Sequence, residues 1–323
     1  MESNTRNYTS DDSDARIRDI LDAPRGNYLE VDEIPSRARL TYENGFYVQC
    51  AAVFIDIRGS SSLPDLHSRP VLGKIYRAYI SECIAVLNRY PCCKEIYVAG
   101  DCVSGIFNTS TGIGTQEAFN AACALNSQIQ HLNYRLGQKD YTPISCGIGV
   151  SYGRALMVKS GFNGSGLHEV VWMGDVVNHA SNLCHQGNRN GRAPVQVACE
   201  VYDRLSQHDR QLMKIVFSPT WEIEHYEGDV VNAAMAGWLQ ERLQVDRRQS
   251  VMANALLGLP QFPFSQQYFG LASPALPPPP KPTMGGMVRP YDVSNALVDA
   301  LNGGGNPPTH GFALGELLAG TKP

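Results

Sequence analysis

Two aspartates carry the chemistry that this chain offers most plainly. Asp56 sits in AAVFIDIRGSSSL, immediately after the apolar run Ala51 to Ile55, where bulk packing normally excludes an acidic side chain. Asp101 sits in YVAGDCVSGIF, between two further apolar runs. A carboxylate at the end of a buried strand needs compensation, and a metal ion is the natural source. Two aspartates at the tips of neighbouring strands form the kind of donor set that divalent-ion phosphoryl transfer uses.

The elements that must position them follow from periodicity. Ala51 to Ile55 is predicted to be a buried strand, with Asp56 and Ile57 at its end. Ile96 to Ala99, Gly100-Asp101 and Cys102 to Phe107 read as strand, two-residue turn, strand. Between them, Leu72, Ile75, Tyr76, Tyr79, Ile80, Cys83, Ile84 and Leu87 recur at helical spacing. Thr115 to Leu136 repeats that spacing, and Pro143 to Ser151 and Gly153 to Val158 are expected to be two strands joined by a short turn. The order strand, helix, strand, strand, helix, strand is the βαββαβ pattern of an α+β, ferredoxin-like fold.

The flanks are less regular. A short helix is expected to begin within Ala15 to Leu21, after a polar start, and Arg37 to Cys50 reads either as a hairpin around Asn44-Gly45 or as a loop. Ser160 to Leu167 reads as a Gly-rich mobile connection or as a loop in direct contact with phosphate, and Glu169 to Met173 as a strand. Val176 to His185 reads as a helix with Val176, Val177, Ala180, Leu183 and Cys184 on its buried stripe. Its opposite stripe, Asn178, Ser181, Asn182 and His185, is amide-rich where an ordinary solvated face carries lysine and glutamate. Val195 to Ala198, Ile215 to Ser218 and Trp221 to Tyr226 are expected to be strands; Glu200 to Ser206 and Asn232 to Val245 are expected to be helices. From about residue 258 the composition turns to Pro and Gly, and weak helical pieces are expected at Asp292 to Leu301 and Phe312 to Leu318. The expected organisation is an N-terminal extension over 1–45, a catalytic domain over 46–248 and a Pro/Gly-rich tail over 249–323.

Composition narrows the classes. A net charge of -4 argues against a general nucleic-acid binder, and no run of about 18 apolar residues suggests membrane insertion. Nine cysteines without a CxxC pair point to buried reduced thiols and a cytoplasmic setting.

Three segments in fixed order, FIDIRGSS, VAGDCVSGIF and VVWMGDVVNHASNL, resemble the class III nucleotidyl cyclases. More narrowly, NGFYVQCAAVFIDIRGSSSL is similar to the pyrimidine cyclases of bacterial Pycsar antiphage systems. That resemblance implies that Asp56, Asp101 and the Ile57 carbonyl hold two divalent cations, Mn2+ or Mg2+, which acidify the ribose 3'-hydroxyl and neutralise the triphosphate. It implies contacts to substrate from Phe54, Arg58 and the main chain of Gly59, Ser60 and Ser61. It also implies a homodimer with shared sites, in which Asn178 reaches a nucleotide whose metals the other subunit holds.

Two departures from the family pattern bear on substrate. Adenylate cyclases carry a lysine four residues before the hairpin Asp and an acidic or small polar residue three before the helix-motif Gly. Tyr97 and Val171 stand there instead, which favours a one-ring base. Tyr97 has two open readings, base contact or packing beneath the sheet. Asn182 occupies the place of the family's transition-state arginine, and Arg189, Arg192 and Lys159 are candidate replacements, with Arg189 preferred. Arg58 either touches the triphosphate or pairs with carboxylates. The expected reaction is UTP to 3',5'-cyclic UMP and pyrophosphate, as signal generator for a separate cyclic-nucleotide-binding effector in antiphage defence. The alternatives are a cytidylate cyclase, a purine cyclase, and a catalytically silent nucleotide-binding domain.

Overall fold

The computed structural model describes residues 2–218 and 223–256. All of these belong to the first of the chain's two units, Met1–Leu276. The expected tail pieces at 292–301 and 312–318, and the first residues of the strand expected from Trp221, lie outside the described residues.

Helix α1 spans Ser10–Leu21, earlier than the sequence pattern indicated. Its start is set by polar residues: the Thr9 hydroxyl accepts from the Asp12 N–H, and Asp11 and Asp12 lie in the first turn, where they complement the helix dipole. Strand β1, Tyr28–Val31, pairs in parallel with β2, Gly45–Ile57. No hairpin forms around Asn44. Its side chain instead accepts from the Thr41 N–H and donates to the Arg39 carbonyl, folding a compact turn that delivers the chain straight into β2.

β2 is the central strand, and its alternation divides the molecule. Ala51, Val53, Ile55 and Ile57 enter one core, while Phe46, Val48, Cys50 and Ala52 enter a second core on the other face. After β2 come α2, Leu63–Leu66, and α3, Arg69–Asn88. α3 buries Ile75, Tyr79, Cys83, Val86 and Leu87, whereas Ile84 is exposed, so the buried stripe is narrower than expected. Strands β3, Cys93–Ala99, and β4, Cys102–Asn108, form the expected hairpin, and α4, Gly114–Gly137, follows.

The two strands expected between Pro143 and Val158 are one. β5 runs unbroken from Cys146 to Phe162, with Tyr152 paired to Ala51 and Gly153 to Cys50. The length of β2 overrides the local turn signal, because every residue from Cys146 to Val158 finds a partner on it. β6, Leu167–Met173, folds back on β5, and helix α5, Asp175–Gln186, comes next. β7, Val195–Ala198, is followed by two short helices, α6, Cys199–Tyr202, and α7, Gln207–Gln211. β8, Lys214–Ser218, and β9, Ile223–Gly228, form a hairpin before α8, Ala233–Leu256.

The sheet runs β3-β4-β2-β5-β7-β9-β8, and its first four members reproduce the ferredoxin-like order. α3 and α4 cover the face that receives Ala51, Val53 and Ile55. Fully buried Tyr79, Phe107, Phe119 and Leu125 anchor that side, each contributing about 1.5–3 kcal/mol relative to exposure. The opposite face carries α5 over β5 and otherwise stays open at the β2–β4 tips. Among the described residues all cysteines are free thiols, most of them buried, and no helix is long and apolar enough to cross a membrane.

Candidate active site

Strand alternation places Asp56 on the open face, two residues beyond Phe54 and directly opposite Gly147 of β5. On the neighbouring strand, Gly100-Asp101 is a two-residue turn in which Gly100 takes φ +64, a left-handed conformation that suits the first position of a tight hairpin. The two carboxylates lie close enough to disfavour joint ionisation. Burial first, and then the charge of Asp101, push Asp56 up to about 6, while Arg58 and Arg189 oppose the shift. The Oδ2 atom of Asp101 is buried and has no hydrogen-bond partner among the described residues.

An acidic pair of this kind, only partly offset by Arg58 and Arg189, fits a cation. No group of three or more His, Cys, Asp and Glu side chains that could hold a metal occurs among the described residues. Asp56, Asp101 and the Ile57 carbonyl stay the expected donors, and so small a set would suit an ion that keeps positions for water and substrate phosphates.

Arg58 proves to be a strut. Its side chain is only 8% exposed, with Nη1 3.4 Å from Asp56 Oδ2. Nη2 donates to the Cys184 carbonyl at 2.6 Å, so the guanidinium ties the acidic strand to the last turn of α5. Such a cation also meets the negative end of the helix dipole. Gly59, Ser60 and Ser61 follow immediately, at the start of a 3-10 turn spanning Ser60–Ser62. The Tyr76 hydroxyl of α3 lies beside Ser60, and burial and the charge of Asp101 raise its pKa. Sequence reasoning missed Tyr76, since its helical spacing marked it only as a core residue.

α5 lies almost on the backbone of β5. A Cβ at Gly149 would sit 2.1 Å from the Ala180 carbonyl oxygen, and one at Gly147 would sit 2.2 Å from the Cys184 carbonyl oxygen and from Arg58 Nη2. Only glycine permits that approach. Val176, Ala180, Leu183 and Cys184 face the sheet, leaving Asn178, Ser181 and Asn182 half-buried on the other side. The side chains of these three make no hydrogen bond among the described residues.

The structure separates the candidate replacement cations. Arg192 donates to the Phe217 carbonyl at 2.6 Å and lies 3.7 Å from Glu227. The Lys159 ammonium sits 4.6 Å from the centre of the Tyr42 ring. Arg189 alone of the three stands among the charges around Asp56 and Arg58, and burial and Arg58 both lower its pKa.

Further along the same side of the sheet, where the second core covers it, Tyr97, Ser104, Phe54 and Gly149 form one cross-strand row. The Tyr97 hydroxyl donates to Glu95 Oε2 at 3.1 Å, and Glu95 is 7% exposed. Arg37 grips Glu95 through Nε at 2.9 and 3.0 Å and through Nη2, and reaches Glu169 at 3.3 Å. Tyr97 is thus packed into the second core and held by its hydroxyl, and burial and Glu95 raise its pKa. Val171 is not brought to it. Val170 and Trp172 point into the core that Tyr97 packs on, and the intervening Val171 points the other way and is 36% exposed. Trp172 lies there instead, its buried indole N–H beside the Tyr97 hydroxyl. The sequence offered no sign of Arg37 and Glu95, which are 58 positions apart.

No protein-family model matches the chain. A uridylate cyclase from Gulbenkiania mobilis is 40% identical over 216 residues, covering 64% of this chain and 83% of that protein. A uridylate cyclase from Treponema porcinum is 33% identical over 226 residues, covering 70% of this chain and 79% of that protein. Among solved structures, a class III adenylyl cyclase-like ATP-binding protein from Pseudomonas aeruginosa superposes with a TM-score of 0.53 over 72% of this chain and 50% of that one. At 18% identity it shares the fold. With the paired aspartates, the hairpin and the Asn-bearing helix in these places, the chain belongs to the family of the two uridylate cyclases and has the fold of the class III cyclases.

Proposed function

We propose that the protein converts UTP to 3',5'-cyclic UMP and pyrophosphate. The observation that carries this reading is the close pair Asp56 and Asp101, whose mutual repulsion Arg58 and Arg189 only partly offset; Tyr97 and Trp172, packed together on the same side of the sheet, would form the base wall. No lysine stands in that wall, its one carboxylate, Glu95, is engaged by Arg37 and the Tyr97 hydroxyl, and its bulk suits a one-ring base. The names of the two relatives support the same base.

Asp56, Asp101 and the Ile57 carbonyl would hold two divalent cations, Mn2+ or Mg2+, which when bound make the ribose 3'-hydroxyl more acidic and neutralise phosphate charge. The remaining work falls to the chain itself. Main-chain N–H groups of Gly59 to Ser61 contact the triphosphate, and Phe54 flanks the nucleotide. Arg189 receives the negative charge that grows on the phosphates as the 3'-oxygen attacks the α-phosphorus and pyrophosphate departs. Asn178 orients the ribose of a nucleotide seated on the partner's aspartates in a head-to-tail homodimer. Cyclic UMP would then signal to a separate effector in antiphage defence.

Incubation with each of the four ribonucleoside triphosphates and Mn2+ tests the assignment. Cyclic UMP as the main product supports it, and a purine product or none removes it. Asn182 favours a second reading, nucleotide binding without turnover, because the family's arginine is absent there. Binding of UTP without any product would establish that one.

A further inference from the structure

The helix motif lacks its arginine at Asn182, and the structure offers a different supply route. α5 ends over the carboxylates of its own chain. Gly187 packs against Gly147, its ideal Cβ only 2.7 Å from the Gly147 Cα, and Gly147 is the register partner of Asp56. The next residue, Asn188, donates from Nδ2 to the Cys146 carbonyl at 2.7 Å, and Cys146 pairs with Ile57. Asn188 and Asn190 both take left-handed backbone angles, φ 54 and 51, and the Asn188 N–H closes the loop on the Ala193 carbonyl at 3.3 Å. Arg189 is therefore carried by a loop fastened at both ends, next to the Asp56 strand of the same polypeptide.

Its guanidinium makes no hydrogen bond or ion pair among the described residues, unlike those of Arg58 and Arg192. A cation with no hydrogen bond of its own, held beside Asp56, is poised for an anion bound over that carboxylate. Asn178 lies at the far end of the same helix, eight residues before Gln186, or about 12 Å along the axis. The two ends of α5 thus address different places.

We propose that Arg189 acts in cis, on phosphates held over the Asp56 and Asp101 of its own chain, while Asn178 acts in trans. This rests on the shared-site dimer proposed above. The loop thereby replaces the missing helix arginine from the opposite side of the dimer's subunit boundary.

Heterodimers purified through two different affinity tags decide the matter. Arg189→Ala alone should lower turnover by on the order of a hundredfold. It should also weaken pyrophosphate binding, measured by calorimetry in Mn2+, by tenfold or more, with an unchanged melting temperature. Pairing Asp56→Ala with Asn178→Ala restores one complete site per dimer, so activity should return to about half of wild type. Pairing Asp56→Ala with Arg189→Ala should stay at the level of the parents, because the only chain with metal ligands lacks its own arginine. Recovery in this second pair, or wild-type behaviour of Arg189→Ala, overturns the cis assignment. If the first pair also fails to recover, the shared site itself is refuted, and the proposal falls with it for a distinguishable reason.

Discussion

Arg58 joins Asp56 to the end of α5, with Nη1 3.4 Å from the carboxylate and Nη2 2.6 Å from the Cys184 carbonyl. The acidic strand and the helix that closes the site are thereby one mechanical unit. Arg58→Met fills the space without the donors, removing the charged bond to the Cys184 carbonyl, which keeps the Gly187 N–H, and the ion pair to Asp56. A loss of about 1–3 kcal/mol is expected in urea unfolding, together with reduced activity. Wild-type stability in this variant would show that the strut carries no weight.

Asp56 supplies the pH dependence. Its folded pKa is raised to about 6, above the unfolded value, so the native state holds the extra proton between roughly pH 4 and 6. With chelator present, stability should fall as pH rises through that window, and divalent cation should oppose the fall. Asp56→Asn should flatten the profile and raise the melting temperature at pH 7, while abolishing cyclic nucleotide synthesis. Thermal melts from pH 4 to 7 with EDTA or Mn2+ check each part.

Gly149→Ala tests the close approach of α5. A methyl group 2.1 Å from the Ala180 carbonyl oxygen cannot be accommodated without moving the helix. A cost of about 1–3 kcal/mol follows, with a matching loss of turnover. Gly164→Ala is the control, because nothing lies within 4 Å of its added atom, although its φ of +82 adds a backbone cost of its own.

Tyr97 is held by Glu95, so base choice should respond to both. Tyr97→Phe keeps the ring and loses the 3.1 Å bond, a change of roughly 1 kcal/mol in stability. Tyr97→Lys, which places a cation against Trp172 and Glu95, should loosen the ranking of UTP over the other triphosphates or abolish turnover. Competition assays with all four nucleotides read this directly, and an unchanged ranking and rate would remove Tyr97 from base selection.

Much of this architecture was legible from local pattern. The acidic strand end, the Gly-Asp turn and the α5 stripe all depend on periods and turn residues that a linear reading captures. β5 was not, because Tyr152-Gly153 looks like a break until the full length of β2 is available to pair with it. Val171 and Trp172 show the same limit more finely: one position of register decides which of them meets Tyr97. Arg37 and Glu95 left no local trace at all, since an ion pair across that separation exists only once the sheet has formed.

If the opposite tips of α5 attend different nucleotides, as proposed, the helix couples the two sites. In a two-fold assembly, any tilt of α5 that tightens Arg189 on one phosphate chain lifts or lowers Asn178 at the neighbouring ribose. Turnover would then be alternating rather than independent, and velocity plotted against UTP would bend away from a simple hyperbola.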